Sequence, residues 1–494
     1  MIQAKDYSSN QRWRDLKTRL RDFIYAEKSV RKLGLHKWLQ ENSVLDARPS
    51  LQEPADSVPQ KNNSQTARAR PASSKPHVTS LPPEILGEIF IHTLPSEAYP
   101  FPEVDVSPML LCQVCRYWKL TALSLARLWS SFTCHVGIDT RCSHIELFKL
   151  WLDRSRQHPL ALSFRPAQGS RPMMEVLLAN AHRWRAIRSQ LDSELGSLFM
   201  GIRGEDVLLL ETISIMIMPG NWDTDQVIST LTSFPSLRQL EWLKSISVDQ
   251  LITLLSHCPL VEYVVAHPIS TSAHSTNTQR PIIVTHLRFL SFHNWNSEQI
   301  LDRLVLPSLR SLELLAFSDP EALRRLDDRS SCKLEAFDIL CCGASEALVY
   351  LQLPCMQTLR SLTLRSDAIN DDVVALLTWI PGSHTTVLPR LMDIALNVSM
   401  PTDGNVGKMV TSRWRRILGT ASRPTPLQCV DLSYEVGRKA IRDRGLSGLE
   451  YHTLDFSCIE QLSRDGLDIS IVTVIGPFQW PAHDSSVHTI FIYS

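Results

Sequence analysis

Cys112 and Cys115 form a C-x-x-C, and Cys134, His135, Cys142 and His144 follow it closely. Thiolate and imidazole are the ligands a tetrahedral zinc ion takes, so this is the first place to look for a metal. The sequence has no second C-x-x-C, and Cys115 falls at an apolar position of a helical pattern, so no metal is expected there. Gly404-Asn405-Val406-Gly407-Lys408-Met409 has the outline of a phosphate loop. It has two residues between its glycines where that loop needs four, and Met409 stands where a magnesium-binding hydroxyl belongs. Neither H-E-x-x-H nor G-x-S-x-G occurs, and the scattered histidines and aspartates make no catalytic grouping. The chain reads as a non-enzyme without cofactor.

Two further groups invite a binding role, Trp151-Leu152-Asp153 and His182-Arg183-Trp184, because tryptophan and arginine dominate interface hot spots. Both also suit anchoring of a core, which is the reading favoured here. The elements that would position any of these residues come from 494 residues of ordinary globular composition, 44% hydrophobic and 21% charged. That length predicts two to four domains. No apolar run is long enough to span a bilayer; Val207 to Pro219 comes closest and is broken by Glu211 and Pro219. The start, Met1 to Trp13, lacks the apolar stretch of a secretory signal, and eleven sparse cysteines suit a reducing compartment, so a cytoplasmic or nuclear protein without membrane is expected.

The 51 basic and 51 acidic residues cancel only in sum. Residues 1–80 hold 15 Lys and Arg against 8 Asp and Glu, a net of +7, and the remainder carries −7. Residues 1–41 read as a basic amphipathic or coiled-coil-like helix over 11–39, with Leu16, Leu20, Phe23, Ile24 and Leu35 as its apolar positions. Such a helix can meet an acidic partner or an anionic membrane, but its short, irregular stripe suits a solvated helix better. Residues 42–80 hold five prolines, seven serines and no aromatic residue, and read as a disordered linker with a basic cluster at Arg68, Arg70 and Lys75.

From Leu81 the sequence turns apolar. Pro82 and Pro83 suit a first helical turn, and Ile85, Leu86, Ile89 and Phe90 follow on one side of a helix that should end by Pro95. A second helix is predicted from Ser107 and Pro108 through Met109, Leu110, Leu111, Val114, Cys115 and Trp118, and a third apolar cluster at Leu123, Leu125, Leu128 and Trp129. A helical module of this size has more apolar positions than it can bury by itself, which predicts docking on a partner or on the next domain.

Leu81 to Phe90, Val114-Cys115-Arg116-Tyr117-Trp118 and Leu128-Trp129 together resemble an F-box, with its L-P-x-E-I-L start, I-F pair, V-C-R-x-W helix and closing L-W. The stretch from Ser96 to Ser107 is longer and richer in proline than in the common form, and so is similar to F-box-like proteins abundant in mushroom-forming fungi. The resemblance implies docking on the Skp-family adaptor of a Skp–cullin–F-box ubiquitin ligase. By position, the implied adaptor contacts are Leu81, Pro82, Ile85, Leu86, Ile89, Phe90, Val114, Cys115 and Trp118, shared between interface and the module's own core.

Beyond the module, placed at 81–136, an L-x-x-L-x-L template recurs through 137–494. It falls at Leu237/Leu240/Trp242, Leu260/Tyr263/Val265, Leu287/Leu290/Phe292, Leu309/Leu312/Leu314, Leu334/Phe337/Ile339, Leu359/Leu362/Leu364 and Leu391/Ile394/Leu396. The spacings of 23, 27, 22, 25, 25 and 32 residues are near those of leucine-rich repeats. Helix-like runs at Val248 to Cys258 and Asp371 to Ile380 lie between them. The Asn/Cys position of that repeat is filled only by Cys342; Ser245, Pro268, Trp295, Phe317, Asp367 and Ser399 stand elsewhere, so irregular repeats are expected. Further strands are predicted at Leu160 to Phe164, Thr212 to Met218, Cys429 to Leu432, Thr453 to Phe456 and Ile469 to Val474.

The fold class expected is α/β: a small helical F-box followed by an irregular leucine-rich-repeat-like solenoid of strand plus helix per repeat. The function expected from the resemblance is a substrate receptor, tied through the Skp-family adaptor to a cullin and holding an unidentified target protein for ubiquitination. The alternative is a repeat scaffold with no part in ubiquitination. The acidic body lacks the positive field that nucleic-acid binding needs and mildly favours a basic target.

Overall fold

The computed structural model describes residues 81–475, apart from 136–142, 166–169, 219–222, 267–268, 271–279, 293–297, 315–318, 341–342, 366–368, 381–385, 399–400, 415–423 and 437–451. The basic helix, the linker with Arg68, Arg70 and Lys75, and Cys342 lie outside the described residues. The chain divides into two compact units, Met1–Phe199 with Asp206–Leu210, and Met200–Glu205 with Glu211–Ser494.

In the first unit, α1 (Pro83–His92) begins where expected, with Pro82 extended at the N-cap and Glu84 complementing the positive helix end. The predicted helix from Ser107 to Trp118 is not one element. A 3-10 turn covers Leu111–Gln113, and α2 (Arg116–Ser124) starts only after Cys115. Cys115 is extended (φ −158°, ψ 169°), and its sulfur accepts the Trp118 N–H at 3.5 Å, so it caps a new helix. A second 3-10 turn, Ala126–Trp129, leads into β1 (Ser131–His135). Then come α3 (Ser143–Arg154), β2 (Leu160–Arg165), α4 (Arg171–Leu178), β3 (Trp184–Leu191) and α5 (Ser193–Phe199). The three strands are parallel, with Phe132 beside Leu162 and Leu162 beside Ile187.

Trp151, Leu152 and Trp184 are buried, as a core role requires. Trp129 packs edge-on to Trp151 at 4.9 Å. Arg183, 5% exposed, donates to the His158 carbonyl at 3.0 Å and to the Ser155 hydroxyl at 2.5 Å, tying the end of α3 to the start of β3.

The second unit contributes β4 (Thr212–Ile217), α6 (Thr224–Thr232), β5 (Gln239–Trp242), α7 (Val248–His257), β6 (Tyr263–Ala266), β7 (Phe289–Phe292), α8 (Glu298–Leu301) and β8 (Ser311–Leu314). It continues with α9 (Pro320–Ser330), β9 (Ala336–Ile339), α10 (Ala344–Gln352), β10 (Ser361–Leu364), α11 (Asp371–Leu377), β11 (Asp393–Asn397) and α12 (Asn405–Trp414). It closes on β12 (Cys429–Val436), α13 (Thr453–Arg464) and β13 (Asp468–Ile475). Strand follows strand in chain order and every pairing is parallel. Parallel neighbours need a crossover, and the helices supply most of them.

Register stacks equivalent apolar residues side by side: Leu240, Val264, Leu290, Leu312, Phe337, Leu362, Ile394 and Val430 form one buried row. That row corrects one repeat. The template Leu260/Tyr263/Val265 is displaced by one residue, because Val261, Val264 and Ala266 are buried while Leu260 is 37% exposed. Thr453 to Phe456 is also corrected: it opens α13, whose buried Asp455, Ile459 and Leu462 recur at helical spacing. Backbone carbonyls tie the strand starts together. The Arg238 carbonyl accepts the N–H groups of Glu262 and Tyr263, and those of Glu262, Arg288, Arg310, Glu335 and Arg360 do the same one strand further on.

Asp327 near the end of α9 is 9% exposed and accepts the Cys355 N–H at 3.0 Å. Burial pushes its carboxyl above the ordinary 3.8, against the hydrogen bonds that hold it down. A raised acid pKa means the folded state holds its proton more firmly, so ionisation costs stability above the unfolded value. Asp327→Asn is therefore expected to gain on the parent in urea midpoint as pH rises through and beyond 3.8. A constant difference across that window would refute the assignment.

Candidate functional site

The nine residues singled out between Leu81 and Trp118 separate into two groups in the fold. Leu86, Phe90 and Trp118 are each at most 2% exposed and belong to the unit's own core. Phe90 and Trp118 meet at 5.0 Å between ring centroids, tilted by 59°. Gly87 joins this buried side because α1 passes close to Leu125; a Cβ there would stand 3.1 Å from a Leu125 methyl.

The other six reach solvent. Pro82 is exposed, Ile85 is 52% exposed, and Leu81, Ile89, Val114 and Cys115 are half-buried. Ile85 and Ile89 are spaced by four, so they share one side of α1, while Leu81 lies just ahead of its N-cap Pro82. Leu86, Gly87 and Phe90 make a separate, inward stripe. Leu120 on α2 adds another exposed apolar side chain, at 55%. The two ends of this face are held together by the Tyr117 hydroxyl, which donates to the Leu81 carbonyl at 2.7 Å. Behind it the Trp129 indole N–H donates to the Ala122 carbonyl at 2.9 Å.

The long connector from Ser96 to Ser107 runs beside β1. The Thr133 N–H donates to the Pro100 carbonyl at 2.8 Å, the Thr133 hydroxyl to the Tyr99 carbonyl at 2.6 Å, and the Ser131 hydroxyl to the Ala98 carbonyl. Arg188 lies over the Tyr99 ring at 5.5 Å. A cleft of about 760 Å³ opens alongside, lined by Tyr99, Phe101, Ser163 and Arg165 among others.

Of the cysteine group, Cys142 and the side chains of His135 and His144 lie outside the described residues. Cys112 and Cys134 are buried, and burial pushes the Cys112 thiol up to about 11. The G-N-V-G-K-M segment is a turn and helix start: Gly404 is left-handed at φ 91°, and Gly407 lies in α12.

In the second unit Glu241 and Glu313 flank a stacked Tyr263–Phe289 pair, 4.1 Å between centroids, on the outward side of the strands; Asp338 (paired with Arg365 at 2.8 Å), Asp393 and Asp431 follow on strands further along. Partial burial and the Glu241 and Glu313 carboxylates hold the Tyr263 phenol above its usual range. Helical and strand periodicity could locate these positions, but only the strand register sets them side by side.

No protein-family model matches the chain, and no curated protein matches it. Among solved structures, the crystal structure of the Rad7 and Elc1 complex in yeast matches at 13% identity, over 55% of this chain and 69% of that one, with a TM-score of 0.34. No helix of the described residues is long and apolar enough to cross a membrane.

Proposed function

We propose that this protein is a non-enzymatic substrate receptor whose first unit docks on a Skp-family adaptor, and through it on a cullin, while the strand face of its second unit holds a target protein. The observation that carries the reading is the second apolar stripe of α1. Ile85 and the half-buried Ile89 lie outside the buried stripe of Leu86 and Phe90, and with Leu81 ahead of the helix they form an apolar patch of the kind that marks an interaction site. The acidic strand face with its aromatic pair suits a target bearing lysine or arginine, which both carboxylates and ring faces attract. Catalysis would then be by proximity. Holding a target lysine near a ubiquitin carrier raises its effective concentration without any reacting group on this chain.

Ile85→Asp is expected to abolish co-purification with a Skp-family adaptor, weakening capture at least ~10-fold. Its thermal unfolding should stay within ~0.5 kcal/mol of the parent, since the side chain is exposed. Trp118→Ala, by contrast, should unfold the module. An intact chain that never captures the adaptor would leave the repeat-scaffold reading in its place.

A further inference from the structure

The residues where α12 and α13 begin play no part in the receptor reading. Asp403 precedes α12, and its carboxylate accepts the N–H groups of Leu454 and Asp455, each at 3.0 Å, in the first turn of α13. Asp455 answers in the other direction, its Oδ1 accepting the Gly407 N–H of α12 at 2.7 Å. Gly407 permits this approach, because a Cβ there would lie 2.9 Å from the Cys458 Cβ. Asp403 thus caps α13 and Asp455 caps α12, which satisfies donors no helix can satisfy internally.

Capping leaves several atoms unexplained. Asp455 Oδ2, His452 Nδ1 and the Tyr434 hydroxyl are buried without a hydrogen-bond partner, on side chains that are 0%, 7% and 1% exposed. A buried carboxylate oxygen with no donor is costly, so Asp455 Oδ2 beside an equally unpartnered His452 Nδ1 needs a reason. They also converge. His452 Nδ1 is 3.5 Å from Asp455 Oδ2, and the Tyr434 ring lies 4.9 Å from the imidazole. One ligand atom from each of Asp403, His452 and Asp455 lies within 4.8 Å of the others, the one such trio among the described residues.

We propose that Asp403, His452 and Asp455 bind one divalent transition-metal ion, zinc fitting best, that locks the start of α12 to the start of α13. The separation of 3.5 Å is long for an N–H···O hydrogen bond. It is close to the ~3.3 Å edge of a tetrahedron with ~2.0–2.1 Å metal–ligand bonds. Two carboxylates and a neutral imidazole supply the two negative charges that balance a dication. The mixed nitrogen and oxygen set selects zinc over calcium or magnesium, which prefer oxygen alone. Asp403 Oδ1 accepts the Leu454 and Asp455 N–H groups, and Oδ2 accepts the Thr453 hydroxyl at 3.2 Å while sharing the Leu454 N–H, so Oδ2 keeps a lone pair for a metal once that N–H rests on Oδ1 alone. The competing explanation is a protonated His452 paired with Asp455, which needs no metal.

The test is calorimetric titration of the metal-stripped full chain with zinc chloride, with thermal unfolding followed in parallel. Binding of about one equivalent and a zinc-dependent rise in Tm are expected. His452→Gln and Asp455→Asn should each weaken that binding at least ~100-fold and remove the rise. Asp455→Asn keeps an oxygen for the Gly407 N–H, so capping survives. Should either variant fail to fold, cobalt loading of the parent decides: absorption from nitrogen and oxygen ligands supports the site, and thiolate-to-cobalt charge transfer overturns it. A parent that binds no zinc, or an Asp455→Asn chain that binds it equally well, overturns it too.

Discussion

Arg413→Ala is expected to lower the stability of the second unit by about 3–5 kcal/mol. Arg413 lies in α12 and is 3% exposed, with no carboxylate partner among the described residues. Its guanidinium instead donates to three backbone carbonyls: Leu377 at the end of α11, Val387 at 2.7 Å and Leu388 at 3.0 Å. Burial lowers its pKa to about 10, still well above neutral, so the cation persists and the carbonyl dipoles hold it. Leu388 itself is left-handed at φ 51° and fully buried, a conformation a leucine keeps only when its surroundings enforce it. Removing the guanidinium strands the buried Leu377 and Leu388 carbonyls and the half-buried Val387 carbonyl, and frees this turn. Arg413→Lys should recover only part of the loss, because an ammonium cannot fork to three acceptors along fixed directions. Urea midpoints of the three proteins check the order. A lysine variant as stable as the parent would show that charge alone, not the fork, holds the turn.

The second large effect separates two neighbours. Val261→Asp should cost several kcal/mol, on the order of 4, because it places an unpaired charge at a fully buried position. Leu260→Asp should change stability by less than about 1 kcal/mol, since that side chain is 37% exposed. The contrast reads directly on register: if Leu260 were the template leucine, the order would reverse. Comparison of the two midpoints therefore checks the strand alignment of β6, with Val264 beside Leu240 and Leu290.

That neighbouring pair shows how much the residues alone could decide. In Cys-Pro-Leu-Val-Glu-Tyr-Val-Val-Ala both frames put apolar residues at template positions, so local pattern leaves the register open. Tertiary packing decides it, because only one frame aligns Val264 and Ala266 with the buried rows on both sides. In each of the other six repeats the frame shifted by one meets at least one polar residue, such as Arg288, Glu335 or Asn397, and each has its template residues buried. The same logic governs the first unit. The stripe on α1 was legible from spacing, yet the break at Cys115 was not, since a thiol capping Trp118 leaves no periodic mark in an apolar run.

Composition and spacing by themselves determined the α/β class, the place of most strands, and the apolar surplus of residues 81–129. These follow from which side of a helix or strand each residue must occupy, a property of near neighbours. Tertiary structure alone decided that Leu86, Phe90 and Trp118 face inward while Ile85 faces out. It alone brought Asp403 within reach of His452 and Asp455, and carried Arg413 to the carbonyls of Leu377, Val387 and Leu388. Those residues lie tens of positions apart, and no periodicity links them. Their meeting depends on how successive parallel strands stack their helices, which is settled only when the whole row of buried side chains is in register.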